Sequence, residues 1–185
     1  MSGVPGFLSP PAWTNQDIVL YHGTIDVYAR SIRKRVDVTR GAPKTDFGRG
    51  FYTTTSRRQA RSWAWQLSVD YNAVHPTLAI PARPVVISFR VTRDQLSKLD
   101  ILAFVRGDFH AGDYWSLVHY CRSGNPGHAR SVPPNKRPWY DMVAGPVAAV
   151  WRTRLLIANA DQYSFHTRRA GRILDGSLVR VEGVK

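Results

Sequence analysis

Residues Asp46 to Ala64 read DFGRGFYTTTSRRQARSWA, and the order of residue types in this stretch decides how the chain folds. Asp46, Gly48 and Gly50 allow a sharp turn and a close approach of backbone to a ligand, because glycine carries no Cβ to obstruct either. Phe51, Tyr52 and the run Thr53, Thr54, Thr55 are strand formers. Ser56 then stands at an N-cap position, and Ala60, Ala64, Leu67 and Tyr71 recur at helical spacing. The stretch therefore predicts turn, strand and helix in succession. That order argues against a dinucleotide-binding turn, which needs a third glycine and a helix N-terminus directly after the loop to hold a pyrophosphate. The missing G-K-[ST] ending excludes a P-loop.

Outward from this stretch, DIVLY at Asp17 to Tyr21 reads as a buried strand ending at His22, Gly23 and Thr24. Thr24 is expected to cap a helix whose apolar face is Ile25, Ala29, Ile32 and Val36, with Arg30, Arg33, Lys34 and Arg35 on its solvated side. Downstream, Val85 to Val91 predicts a strand led by Pro84, and a short helix or turn follows from Arg93. Between Gly112 and Arg122 the spacing of Tyr114, Leu117, Val118 and Cys121 predicts a helix, which makes Cys121 a core residue rather than a nucleophile. Residues 123–138 carry four prolines, two glycines and no acid, the composition of a long exposed connection. Strands are expected at Val147 to Arg152, Tyr163 to Thr167 and Leu178 to Val181, and a short helix at Arg168 to Leu174.

A chain of 185 residues supports one domain with a real core. We place it at residues 17–185, preceded by a proline-containing arm at 1–16. The single cysteine excludes an internal disulfide and a Cys-pair zinc site, and the histidines show no metal-ligand spacing, so no metal is expected. No apolar run reaches the roughly 18 residues of a membrane span, and the N-terminus lacks the pattern of a secretory signal. The expected location is cytoplasmic, or a target cell reached without a classical signal peptide. The 26 Lys and Arg against 13 Asp and Glu give a formal charge of +13. Such an excess attracts nucleic acid, an anionic membrane surface or an acidic protein, and an arginine-rich coding bias would give the same number.

Taken with LYHGT at Leu20 to Thr24 and DQYSFHT at Asp161 to Thr167, the central stretch resembles the ADP-ribosyltransferase superfamily. The likeness is to its diphtheria-toxin and poly(ADP-ribose) polymerase branch, where three strands supply a His, a Tyr and usually a Glu around NAD. GRGFY is similar to that branch's G-K-G-I-Y. QARSWA at Gln59 to Ala64 and YDMVAGPVA at Tyr140 to Ala148 are similar to a bacterial family of unknown function placed in the same superfamily. The resemblance implies an α+β fold with a split β-sheet core and flanking helices. It implies a mono-ADP-ribosyltransferase with NAD as substrate, a bacterial toxin or effector, monomeric, with an antitoxin or immunity protein as partner.

By the same resemblance, His22 bonds an adenosine ribose hydroxyl, and Gly23 pairs through its backbone with the nicotinamide amide. Tyr52 and Trp63 sandwich the nicotinamide ring, and Thr24, Asp46, Phe47, Gly50 and Thr54 complete the cofactor set. Gln162 stands where the branch carries its glutamate. A glutamine still bonds ribose hydroxyls but cannot act as a base, so single transfer is expected rather than polymer growth, with Asp161 available to activate an acceptor. On this reading Gln162→Glu keeps or raises activity. Arg130, Lys136, Arg137 and Trp139 join cationic and aromatic groups in one loop suited to gripping a macromolecular acceptor, nucleic acid or protein. NAD hydrolysis, and a non-catalytic basic module binding nucleic acid or ADP-ribose, are the alternatives.

Overall fold

A computed structural model of the chain describes residues 16–105, 112–125 and 140–184. In chain order the described strands and α-helices are β1 (Ile18–Ile25), α1 (Asp26–Lys34), β2 (Phe51–Thr53), α2 (Arg57–Val74), β3 (Pro84–Val91) and α3 (Arg93–Leu96). They continue with β4 (Ile101–Ala103), α4 (Gly112–Arg122), β5 (Met142–Val150), β6 (Leu155–Phe165), α5 (Arg168–Asp175) and β7 (Leu178–Gly183). The fold is α+β. One antiparallel sheet runs β1-β3-β7 and a second runs β2-β6-β5-β4, where β4 lies parallel to β5 and the other pairs are antiparallel.

Alternation along the strands sorts the side chains into layers. Leu20, Val85, Ile87, Phe89 and Val91 of the first sheet meet Phe51, Met142 and Phe165 of the second in the main core. Fully buried side chains of this size contribute about 1.5–3 kcal/mol each. α2 covers the opposite face of the first sheet through Ala60 and Ala64, both buried. α4 covers the opposite face of the second, where Tyr114 and Val118 join Phe47, Val143 and Ala148 in a smaller core. Cys121 is fully buried and its thiol is pushed up to about 12 by burial, which makes it a packing residue.

The helices from Ser56 and from Gly112 stand where the periodicity puts them, and the Ser56 side chain accepts from Gln59 N at 3.2 Å as an N-cap should. Several boundaries differ from the sequence reading. β1 runs on through Thr24 and Ile25, which are buried opposite Val85 and Pro84, so Thr24 caps nothing and Ile25 precedes α1 without a side-chain cap. β5 begins at Met142 and β6 at Leu155, both earlier than expected. The three-residue β4 is too short to show any period. Pro146 sits at an irregularity of β5, where a strand interior tolerates proline. No described helix is long and apolar enough to cross a membrane.

Candidate functional site

The two sheets touch where β1 meets β2. Tyr21 and Thr54 exchange both backbone hydrogen bonds, at 2.8 and 2.9 Å, in an isolated antiparallel bridge. Beyond it the strands part, and the His22 imidazole replaces the next ladder bond: its Nδ1 lies 2.7 Å from the Tyr52 carbonyl. A carbonyl only accepts, so Nδ1 carries the proton and Nε2 is left as an acceptor. The ring stacks on Phe51 at 4.2 Å. Burial lowers its pKa to about 4, against the opposing pull of the Tyr52 carbonyl, so the imidazole is uncharged at neutral pH.

That depression makes His22 a source of acid sensitivity. Its neutral form is favoured in the folded chain, so its contribution is complete above about 6.5 and is lost as pH falls toward 4. His22→Asn keeps a donor for the Tyr52 carbonyl but does not titrate. The stability gap between wild type and variant is expected to narrow by at most about 3 kcal/mol across that window. Urea midpoints measured at several pH values check this, and a constant gap would mean a solvated ring.

Backbone polar groups alternate between the two edges of a strand. Tyr21 turns its N–H and C=O toward β2, so Gly23 turns its own pair to the same edge, just past the point where β2 diverges. The missing Cβ of Gly23 has its own purpose: one built there would fall 2.1 Å from the Ala60 carbonyl oxygen and 2.9 Å from Ala64 N. The two alanines of QARSWA are the small surface that lets α2 lie on this glycine. Trp63, on the same helix, is 65% exposed and packs into neither core.

The turn before β2 is held from inside. Gly48 has a φ of 76°, the left-handed region that glycine enters freely. The Tyr52 hydroxyl closes this turn by donating to Gly48 O at 2.7 Å and accepting from Phe47 N at 3.0 Å, and burial raises its pKa. Gly50 leaves room for the His166 ring, which a Cβ would meet at 2.8 Å. Asp46 is 2% exposed. Its carboxylate accepts from Arg122 at 2.8 and 2.6 Å, from Ala148 N at 2.8 Å and from Gln162 Nε2 at 2.7 Å. Gln162 donates its other proton to Pro146 O at 2.8 Å and is 7% exposed.

On the opposite face of β6, Asp161 and Tyr163 line a cleft of about 390 Å³ with Thr55, Ser56, Phe104 and Gly145. The Asp161 carboxylate accepts from Thr54 Oγ1 at 2.5 Å, from Thr55 N at 2.9 Å and from the Thr55 hydroxyl. Gln59 fixes the backbone behind it, donating to Asp161 O at 2.8 Å and accepting from Asp161 N at 3.2 Å. A carboxylate beside the N-terminus of α2 is also favoured by the helix dipole.

The residues singled out in the sequence thus form a bonded chain rather than one open ring. His22 joins Tyr52, Tyr52 joins the turn, and Asp46 in that turn joins Gln162. Phe47 is fully buried and packs against Phe104 and Tyr114, and Thr24 and Thr54 are buried. The Asp46 carboxylate, the Tyr52 hydroxyl and both amide protons of Gln162 are spent on the protein, so contact of these groups with a dinucleotide requires the smaller core to open. Asp161 is the carboxylate that reaches the cleft. Arg130, Lys136, Arg137 and Trp139 lie outside the described residues, as do 1–15 of the N-terminal arm. No local pattern in the sequence marks Gln59 as the clamp on Asp161 or joins Asp46 to Arg122 across 76 residues.

The family model described as "Protein of unknown function (DUF3990)" matches residues 18–158. The chain belongs to this family. The matched span holds His22, Gly23, the central turn and all of α2, and stops within β6 before Asp161 and Gln162. No curated protein matches the chain.

Proposed function

We propose that this chain transfers a single ADP-ribose unit from NAD to a macromolecular acceptor. The observation that carries the reading is the edge of β1 at its parting from β2. There Gly23 holds a backbone donor and acceptor side by side, the pairing surface that a primary carboxamide needs, next to the uncharged imidazole of His22. The exposed Trp63 indole offers a flat face for the leaving nicotinamide.

Cleavage of the nicotinamide–ribose bond develops positive charge on the ribose, so a fixed negative charge facing it lowers the barrier. Asp161 takes that role, held in place by Thr54, Thr55 and Gln59. Gln162 supports it from the other face of β6 by tying the strand to Asp46. A toxin or effector acting on nucleic acid or protein is the setting in which such chemistry fits a chain of +13.

The test is incubation with NAD labelled on its adenylate phosphate and a cell lysate, followed by assay of free nicotinamide and of label in separate protein and nucleic-acid fractions. We expect nicotinamide release with label in one macromolecular fraction. Asp161→Asn, which keeps an acceptor for Thr55 N, should slow release by about 100-fold while its circular dichroism is unchanged. No release from the wild type would end the reading, and release without transfer would make the chain an NAD glycohydrolase.

A further inference from the structure

The side of the first sheet under α2 carries a second feature, on which the proposed chemistry makes no demand. Gly23, Val86 and Glu182 form one row across β1, β3 and β7, and Tyr21, Ser88 and Arg180 form the next. Gly23 fixes the face: its missing Cβ points at α2, so Glu182 and Arg180 stand on that face too. Arg90, two residues beyond Ser88, extends it and is exposed. α2 crosses above with Arg57 and Arg61, one turn apart, and these line a hollow of about 450 Å³ with Arg180 and Glu182.

Glu182 is the only glutamate in the chain, and it serves these arginines. Its carboxylate accepts from Arg57 Nε at 2.6 Å and lies 3.4 Å from Arg180 Nε. Both bonds use Nε. The terminal guanidinium nitrogens of Arg57 and Arg180 bond no other described residue, and the two side chains are 53% and 70% exposed. One carboxylate thus orients two guanidinium forks outward without neutralising the face. Trp65 follows Arg61 on the same ridge of α2, four residues on, and is 58% exposed.

We infer that this face binds a single strand of nucleic acid, its phosphates on Arg57, Arg61, Arg90 and Arg180 and a base on Trp65. Guanidinium forks match phosphate oxygens in pairs. An exposed indole beside them adds a stacking surface, which an acidic protein does not need and a base does. The arginines are spread over a helix and two strands instead of converging on one point, as the pyrophosphate of a lone nucleotide would require. Binding follows from this arrangement whether or not the chain turns over NAD.

Fluorescence anisotropy with a labelled single-stranded oligonucleotide of mixed sequence, titrated at several salt concentrations, tests the inference. Trp65→Ala should weaken binding by about tenfold with the salt slope unchanged, since stacking is lost and no phosphate contact is. Arg57→Gln with Arg180→Gln should reduce the slope of log affinity against log salt by about 1.4. The control is Arg168→Gln with Arg172→Gln, which removes the same charge from α5, packed on the other face of β3. It should change affinity by less than about twofold. Equal losses from the two arginine pairs, or no effect of Trp65→Ala, would overturn the inference in favour of unlocalised charge attraction. Displacement of the strand by polyglutamate as readily as by unlabelled strand would overturn it in favour of an acidic protein partner. Displacement by micromolar NAD would overturn it in favour of a nucleotide site.

Discussion

Gln162→Glu is expected to destabilise the protein at neutral pH by about 3–5 kcal/mol, because it sets a second carboxylate against one that is already buried. Gln162 Nε2 donates to Asp46 Oδ2 at 2.7 Å and to Pro146 O at 2.8 Å. A glutamate there donates to neither, and Arg122, bound to the other oxygen of Asp46, balances only one of the two negative charges. The new carboxyl must therefore hold its proton, which raises its folded pKa above the unfolded value of about 4.3. A raised folded pKa means that the deficit is small below pH ~4 and grows as pH rises through the folded value. The protonated form still satisfies just one of the two acceptors. Gln162→Leu, which leaves Asp46 its bonds from Arg122 and Ala148 N, should cost less at pH ~7, about 1–3 kcal/mol. Urea denaturation of both variants at pH ~7 and ~5 measures the ordering and its pH dependence. A Gln162→Glu protein as stable as wild type at pH ~7 would mean that this side chain faces a cleft. That outcome would restore the expectation, carried by the resemblance, that glutamate improves activity here.

Part of this arrangement is legible in the chain and part is not. The turn, strand and helix of Asp46 to Ala64 were readable because glycine, β-branched and capping residues act locally. The inward direction of Asp46 was not, because it depends on Arg122, 76 residues away. Asp161 and Gln162 are neighbours whose side chains must point to opposite faces of β6, and nothing within the strand says which face has the cleft. The answer lies in α4, which closes one face, and in Thr54 and Thr55, which bring the N-terminus of α2 to the other. Periodicity likewise identified Ala60 and Ala64 as a buried stripe without naming Gly23 as the residue beneath them. The excess of arginine is only a total, and it takes the register of β3 and β7 to set Arg90 and Arg180 on the sheet face that α2 crosses with Arg57, Arg61 and Trp65.

Gly23→Ala is expected to cost about 3 kcal/mol, lowering Tm by roughly 10 °C, even though alanine adds a single carbon. The backbone conformation at Gly23 suits any residue, so strain in φ is not the reason. The reason is contact: the added Cβ falls 2.1 Å from Ala60 O and 2.9 Å from Ala64 N. Both are main-chain atoms of a regular helix and cannot swing aside as a side chain would, so α2 itself must lift from β1. Lifting it draws Gln59 away from the backbone of Asp161 and loosens the Thr55 N–H on the Asp161 carboxylate. Trimming the helix with Ala60→Gly should restore nothing, because the clash is with the carbonyl and not with the alanine methyl. A thermal melt of the single and double variants decides this, since full recovery in the double would place the collision on the side chain. The same variant separates the two purposes of this residue. Alanine keeps the N–H and C=O that the proposed carboxamide pairing uses. Below its lowered Tm, the folded fraction of Gly23→Ala should still bind nicotinamide while its turnover falls, because the displaced part is the support of Asp161. Loss of nicotinamide binding in the folded variant would instead show that the edge of β1 moves with the helix, and that one glycine sets both the packing of α2 and the geometry of the edge.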